Sequence, residues 1–236
     1  FSREYIINRV VVQLPPEEQE DWLLETYHDY DIQSIVLVGG ESSDIDYPGP
    51  SVPDGNRLIS DHLNEGHRRY GDGSIDPTDF AVGNICISTR RREDFDEPER
   101  MAYKIESGCD FFTSQIIAET DSPADLLRDL DRSLRQENLE APAILWSLTP
   151  INSEKDVRFL RWLGVRIPDE VEEHILGSSE PLETSLDYFE NLWTELLEVE
   201  EQLDRDIPMG INLSPVAIRN LDPCVRLADR LQSLTP

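Results

Sequence analysis

Short apolar runs alternate with longer stretches of helical spacing along this chain. A short run of β-branched or aromatic residues indicates a buried strand, whereas apolar residues three or four positions apart indicate a helix with one packed face. The pattern predicts six strands, at residues 7–14, 33–38, 80–88, 111–117, 142–148 and 208–213. It predicts helices over residues 17–30, 56–70, 98–107, 122–136, 153–163, 168–176, 182–203 and 215–234.

Two of the predicted helices carry recognisable start signals. Ser122 followed by Pro123 is typical of an N-cap and a first helical residue, and Asn152 or Ser153 is the N-cap expected for the helix that ends at Leu163. Regular alternation of strands and helices predicts an α/β fold with a parallel sheet and helical crossovers. The pattern fits both an open doubly wound sheet and a (β/α)8 barrel that lacks two βα units. We expect one domain over residues 1–236.

Charge narrows the choice of partners. The chain has 21 Lys and Arg against 49 Asp and Glu, a net charge of -28 with a pI near 4.3. Such a field repels nucleic acid and anionic membranes. The acids are dispersed and Lys is confined to Lys104 and Lys155, which predicts a halophile's cytoplasmic protein, with generic acidity as the alternative. No apolar run approaches the roughly 18–20 residues of a membrane span.

Cysteine and histidine spacing argues against a metal site. Cys86, Cys109 and Cys224 have no CxxC spacing and are expected to be buried free thiols. His62 and His67 are five positions apart, which does not place them on one helical face.

Polar residues follow three of the predicted strands. They are Glu41 after two glycines, Thr89 and Arg90, and the pair Ser114 and Gln115. Ligands bind at the carboxyl ends of parallel strands, and a Gln there can both donate to and accept from a heterocycle. The alternatives are that Gln115 satisfies loop backbone and that Glu41 is one more surface acid.

The remaining candidates are a basic cluster and an aromatic pair. Arg90, Arg91 and Arg92 could bind a carboxylate tail or a cofactor phosphate. For two of the three, pairing with neighbouring acids is the better interpretation. Phe159 and Trp162, three residues apart, would share one helical face. Helical aromatics are usually core, but these could also reach over a ligand.

Three segments resemble the methylenetetrahydrofolate reductase family, most closely its flavin-independent branch. GCDFFTSQII at residues 108–117 is similar to that family's strand ending in Thr-Gln. Residues 147–171, which contain VRIP, resemble its PISN…F…GVRIP segment, and VLVGGE at residues 36–41 lies where the family has a strand ending in Gly-Asp. The resemblance covers about residues 10–231 and implies a (β/α)8 barrel that reduces methylenetetrahydrofolate to methyltetrahydrofolate.

The resemblance also implies site residues and a cofactor. Gln115, Glu41 and Ser114 would contact the pterin and Phe159 would stack on it, while Thr89 or Arg90 would touch the cofactor or the glutamate tail. The segment that helps to hold flavin in most members has neither Tyr nor His here, at residues 85–91. NADH or NADPH is therefore the expected reductant, and FAD is not supported.

Two departures from the family leave alternatives open. The six strands align with the family's third to eighth, so the chain as given begins two units late, and we expect a longer natural chain. No residue matches the family's proton-donating Glu, so the catalytic residue stays unassigned. Besides a reductase, the sequence fits a non-enzymatic pterin- or C1-carrier-binding subunit or an unrelated barrel enzyme. The expected partners are a folate or related pterin and a second copy of the chain.

Overall fold

The computed structural model describes residues 5–40, 45–90, 96–232 and 234. Strands and helices alternate through these residues, as the sequence predicts. The strands are β1 (Ile6–Val10), β2 (Ser34–Val38), β3 (Ala81–Cys86), β4 (Phe111–Ile116), β5 (Ala143–Leu148) and β6 (Met209–Leu213). The α-helices are α1 (Pro16–Tyr30), α2 (Val52–Leu58), α3 (Glu97–Glu106), α4 (Asp121–Glu137), α5 (Glu154–Trp162), α6 (Asp169–Leu176), α7 (Pro181–Glu200) and α8 (Leu221–Leu231).

The sheet confirms the predicted α/β class. In the part of the chain that the structure describes, six strands follow one another in the order β1 to β6. β1 pairs in parallel with β2, β2 with β3, and β5 with β6, so Ile35 of β2 lies opposite Ile7 and Val82. A doubly wound sheet reverses its strand order at a switch point. The unreversed order is instead consistent with a partial barrel whose ring is not closed, since β1 and β6 are the edges.

The chain divides into two compact units. The first comprises Phe1–Cys86 with Glu99–Thr113, and the second comprises Ile87–Pro98 with Ser114–Pro236. The first is built on a buried aliphatic cluster that includes Ile35, Leu37 and Ile59. The second buries Trp146 and Trp193 completely. The prediction of a single domain stays a prediction.

Helix 56–70 was predicted with the wrong boundaries. The helix begins four residues earlier, because Ser51 caps α2 by accepting a hydrogen bond from Asp54 N at 3.3 Å. A π-helical turn, Ile59–Leu63, follows α2 directly. Gly66, with φ at +78°, turns the chain away from helical geometry. The backbone N–H groups of Arg69 and Tyr70 then bind the buried Glu20 carboxylate instead of helical carbonyls.

Other predicted boundaries also need correction. Strand 7–14 ends at Val10, and Val11–Gln13 forms a 3₁₀ turn. Ser122 is not an N-cap, because α4 begins at Asp121 and the Ser122 N–H binds Glu119 Oε2 at 3.0 Å. Helix 215–234 is divided into the 3₁₀ turn Ile218–Asn220 and α8. The Ser153 cap is confirmed, since its hydroxyl accepts from Asp156 N at 3.4 Å.

The predictions for the cysteines and for membrane spans can also be compared with the structure. All three cysteines are free and buried, as predicted. Burial raises the pKa of the Cys109 and Cys224 thiols, which suits inert packing rather than reactivity. Of the described helices, none combines the length and the apolar character needed to cross a membrane.

Candidate functional site

The end of β4 presents two neighbouring side chains in different environments. Successive strand residues point to opposite faces of a sheet. Ser114 is buried, at 4% exposure, whereas Gln115 is only partly buried. Gln115 Nε2 donates a hydrogen bond of 3.0 Å to the Leu163 carbonyl, directly after the last residue of α5. This bond fixes the carboxamide against the C-terminal end of α5.

Helix α5 carries an exposed aromatic pair. Its inner face buries Val157 and Leu160 almost completely. Phe159 and Trp162 lie outside this face and stack on each other, with ring centroids 5.7 Å apart and planes inclined by 28°. Phe159 is 38% exposed and Trp162 is 77% exposed. We call Gln115, Phe159 and Trp162 the aromatic face, which the 3.0 Å bond from Gln115 to Leu163 joins to α5.

Ser114, predicted to bind substrate, forms a buried network within the second unit. Its hydroxyl accepts from Ser147 N at 2.8 Å and donates to the Gln115 carbonyl at 2.8 Å. Ser147 Oγ in turn donates to the Ser114 carbonyl at 2.6 Å and accepts from Asn212 Nδ2 at 2.9 Å. Ser114, Ser147 and Asn212 form what we call the serine network. It links β4, β5 and β6, while a contact between Ser114 and substrate stays a prediction.

A second buried cluster fixes the start of α5. Asp156 is fully buried and its Oδ2 accepts from Ser153 Oγ at 2.8 Å and from Asn152 N at 3.2 Å. Its Oδ1 accepts from Arg219 Nη2 at 2.6 Å and from Asn220 Nδ2 at 3.4 Å. These five residues form the Asp156 cluster. Since Phe159 lies one turn after Asp156, the cluster determines where the aromatic pair stands.

The residues predicted to touch a cofactor lie elsewhere in the second unit. Thr89 and Arg90 follow β3 in a turn closed by a 3.0 Å bond from Arg90 N to the Ile87 carbonyl. Arg90 Nη1 contacts Glu97 Oε2 at 3.0 Å, and Glu97 is fully buried. Pairing with a neighbouring acid is thus confirmed for Arg90. The contacts of Thr89 and Arg90 with a cofactor stay predictions.

Several predicted residues fall outside the described part of the chain. Glu41, Arg91 and Arg92 are among them. The convergence of Glu41 with Gln115 on one pterin therefore stays a prediction. Among the residues that are described, no group of three or more His, Cys, Asp or Glu side chains could hold a metal ion.

A cleft in the second unit was not predicted from the sequence. It has a volume of about 570 Å³ and is lined by the start of α4, the segment leading into α6, and α7. The Tyr188 hydroxyl donates to the Ala118 carbonyl at 3.0 Å. Burial, reinforced by nearby carboxylates, raises the pKa of Tyr188 to about 12. The phenol therefore stays protonated and neutral near physiological pH.

Three important groups escaped sequence reasoning for identifiable reasons. The Leu163 carbonyl is a backbone atom, which no residue pattern reveals. Asp156 is one of 49 acidic residues, so its burial could not be distinguished from general acidity. Trp162 was expected to share a helical face with Phe159 but was not predicted as a site residue. Its position three residues after Phe159 was the signal that could have identified it.

Comparisons with known proteins support the fold. No family model and no curated protein matches the chain. A solved structure from Clostridium thermocellum is similar, with a TM-score of 0.60 and 21% identity over 98% of this chain and 95% of that one. It is described as an uncharacterized protein that binds two copies of 5-methyl-5,6,7,8-tetrahydrofolic acid. At this identity the likeness shows a shared α/β fold.

Proposed function

We propose that this protein binds a reduced folate, or a related pterin C1 carrier, on the aromatic face. The observation that supports this proposal is the exposed, stacked pair Phe159 and Trp162 on α5, the helix whose end the Gln115 carboxamide contacts through the Leu163 carbonyl. Large aromatic side chains left in solvent on a well-ordered helix are a recognised feature of binding sites. The fold's similarity to a protein described as binding 5-methyltetrahydrofolate suggests which ring they meet.

The chemistry of the face suits a pterin. Stacking of a flat heterocycle on an aromatic side chain contributes about 1–3 kcal/mol in nucleobase complexes, and a pterin has a comparable π-face. One hydrogen of Gln115 Nε2 is used by the Leu163 carbonyl. Its second hydrogen and Oε1 remain open, so the carboxamide can donate to a ring carbonyl and accept from a ring N–H or amino group. Phe159 and Trp162 supply affinity, and Gln115 supplies orientation.

We further propose that the bound carrier is methylenetetrahydrofolate and that the protein is a reductase. A hydride from NADH or NADPH would add to the methylene carbon as its bond to one folate nitrogen breaks. That nitrogen would take a proton, giving methyltetrahydrofolate and oxidised nicotinamide. The role of this chain's residues is to hold the pterin plane still, because hydride transfer depends on orientation.

The residues predicted to hold the nicotinamide do not form a ready phosphate site. The positive charge of the Arg90 guanidinium is already paired with the negative charge of the buried Glu97 carboxylate. Thr89 offers one hydroxyl beside it. The proposed hydride transfer therefore uses neither Thr89 nor Arg90 and involves no FAD.

A folate-binding protein without turnover is the second candidate. It is favoured by the similar structure, which is described as binding 5-methyl-5,6,7,8-tetrahydrofolic acid. Both candidates use the same aromatic face and differ only in whether a hydride is transferred.

The deciding experiment is a turnover assay. Purified protein is mixed with methylenetetrahydrofolate and NADH or NADPH in molar salt, and loss of the nicotinamide absorbance is followed. We expect turnover that is strongly reduced in Phe159→Ala and retained in Val225→Ala, a matched change at an exposed apolar residue of α8. No turnover with either nicotinamide, together with saturable folate binding, would select the binding protein. Absence of both would contradict the whole proposal.

A further inference from the structure

In the first unit, the side chains of Arg9 and Gln19 join β1 to α1 through an incomplete set of hydrogen bonds. Arg9 Nε donates to Gln19 Oε1 at 3.1 Å, and the guanidinium carbon lies 4.1 Å from the centroid of the Trp22 ring. Gln19 is fully buried. Arg9 Nη2 and Gln19 Nε2 are buried atoms without a hydrogen-bond partner in the described part of the chain. Both atoms are N–H donors, so the missing group is an acceptor.

The positive charge of Arg9 has no counter-charge within the described residues. Arg68, Arg90 and Arg219 each form an ion pair with a carboxylate whose side chain is fully buried. Arg9 forms no such pair there, although the chain contains 49 Asp and Glu residues. Burial lowers the pKa of Arg9, because water is partly withdrawn from its charge. A neutral acceptor would complete the hydrogen bonds but leave this charge unpaired, so an anion suits the position better.

The hydrogen bond between the two side chains restricts which anion fits. A carboxylate or a phosphate typically engages an arginine through two parallel N–H groups. On Arg9 the Nε–H is already used by Gln19, which leaves Nη2 as the buried open donor. Gln19 Nε2 shares a carbon atom with the accepting Oε1, so the two open donors flank one hydrogen bond. Both are shielded from solvent, which favours a small ion that accepts from any direction. We propose that a chloride ion binds between Arg9 Nη2 and Gln19 Nε2.

The chloride ion is a structural ligand of the first unit. Arg9 lies on β1, an edge strand of the sheet, and Gln19 lies on α1. An ion held by both side chains ties the edge strand to the helix that covers it. Since the two donors come together only in the folded chain, chloride binds the folded state and raises its stability in a concentration-dependent way.

Thermal unfolding in mixtures of sodium chloride and sodium gluconate tests the proposal. The mixtures have one ionic strength, so screening of the acidic surface is the same in all of them. Gluconate is too large to replace chloride between the two buried donors. We expect Tm to rise saturably with chloride, by about 3–6 °C once chloride exceeds its Kd by about tenfold. An equal Tm in the two salts, which a bound water would give, would overturn the proposal.

Two variants remove the need for chloride in opposite ways. Arg9→Met keeps an apolar chain over Trp22 but removes the charge and the donor, so its Tm should be lower and independent of chloride. Gln19→Glu places a carboxylate beside the guanidinium. It should bring Tm in gluconate up to the value that the parent reaches in chloride, and it should abolish the chloride shift.

Arg57→Met is the matched control. Arg57 also lies over an aromatic ring, 5.6 Å from the centroid of Tyr103, but it pairs with Asp54 at 3.7 Å. This variant should keep the full chloride shift, and its loss would mean that chloride acts on arginines in general.

Gln19→Glu decides the question alone if Arg9→Met does not fold. A chloride shift that persists in Gln19→Glu would place the ion elsewhere and overturn the proposal. So would a Gln19→Glu variant that is less stable than the parent in both salts, because the carboxylate would then find no open donors to satisfy.

Discussion

Ser114 and Gln115 are adjacent in the chain but serve opposite purposes. The Ser114 hydroxyl is buried and both its donor and its acceptor function are used, by the Gln115 carbonyl and Ser147 N. The Gln115 side chain is partly exposed and uses one bond to fix its orientation, which leaves its carbonyl oxygen available. A polar residue at a strand end is therefore a ligand-binding candidate only on the face where its hydrogen-bonding capacity remains open.

Helix α5 repeats the same division along its length. Its N-terminal turn is tied by the buried Asp156 carboxylate, whereas Phe159 and Trp162 reach into solvent. A preorganised site requires side chains that are free to contact a ligand and a rigid, buried support that holds them in place. Mutations should therefore separate into those that damage stability and those that damage binding alone.

Among the variants of the candidate site, Asp156→Ala should have the largest effect on stability. It removes the carboxylate that accepts hydrogen bonds from Ser153, Asn152, Arg219 and Asn220 at the start of α5. We expect the free energy of unfolding to fall by about 3 kcal/mol, measured by urea denaturation. Asp169→Ala is the matched control, because Asp169 also pairs with an arginine, Arg161 at 3.1 Å, but its side chain is 91% exposed. That control should cost less than about 1 kcal/mol, and equal losses would contradict a special role for the buried cluster.

Ser114→Ala should have the next largest effect. It leaves the Ser147 N–H without its acceptor in a buried part of the sheet, so we expect a loss of about 1–3 kcal/mol in unfolding free energy. Gln115→Ala, one residue further along, should cost less than about 1 kcal/mol because water can replace its bond to Leu163. If the two variants were equally destabilised, the proposed division between the two faces of β4 would be wrong.

Trp162→Ala should have the smallest effect on stability. Its ring is 77% exposed, so replacing it removes little buried apolar area and should change the unfolding free energy by less than about 0.5 kcal/mol. Trp193→Ala is the contrasting variant, since Trp193 is fully buried and should cost about 3–5 kcal/mol. A large loss in Trp162→Ala would mean that the aromatic pair is structural.

The sequence predicted the succession of elements better than their ends. The apolar periodicity identified all six described strands, because each contains a short run of apolar and β-branched residues. The predicted boundaries are wrong where a helix cap or a tertiary hydrogen bond overrides the helical spacing of apolar residues. The helix after Ser51 starts early because a cap is available and stops early because Gly66 and the buried Glu20 carboxylate redirect the backbone.

The candidate site was only partly predictable. The roles of Phe159 and Gln115 as site residues stay predictions, and the structure adds the Leu163 carbonyl, which joins Gln115 to the end of the helix that carries Phe159. The pairing of Arg90 with Glu97 was foreseen as one of two alternatives because acids follow it closely in the chain. The cleft beside Tyr188 could not be foreseen, because its acids come from three elements that are distant in sequence.

Calorimetric titration with 5-methyltetrahydrofolate decides whether the aromatic face binds a reduced folate. The parent protein, the double variant Phe159→Ala with Trp162→Ala, and the control Val225→Ala are compared under the same salt conditions. If the ligand stacks on the aromatic face, the double variant should lose at least about 10-fold in affinity while Val225→Ala matches the parent, since one stacking contact contributes about 1–3 kcal/mol. Equal affinity in all three proteins would contradict the proposed site.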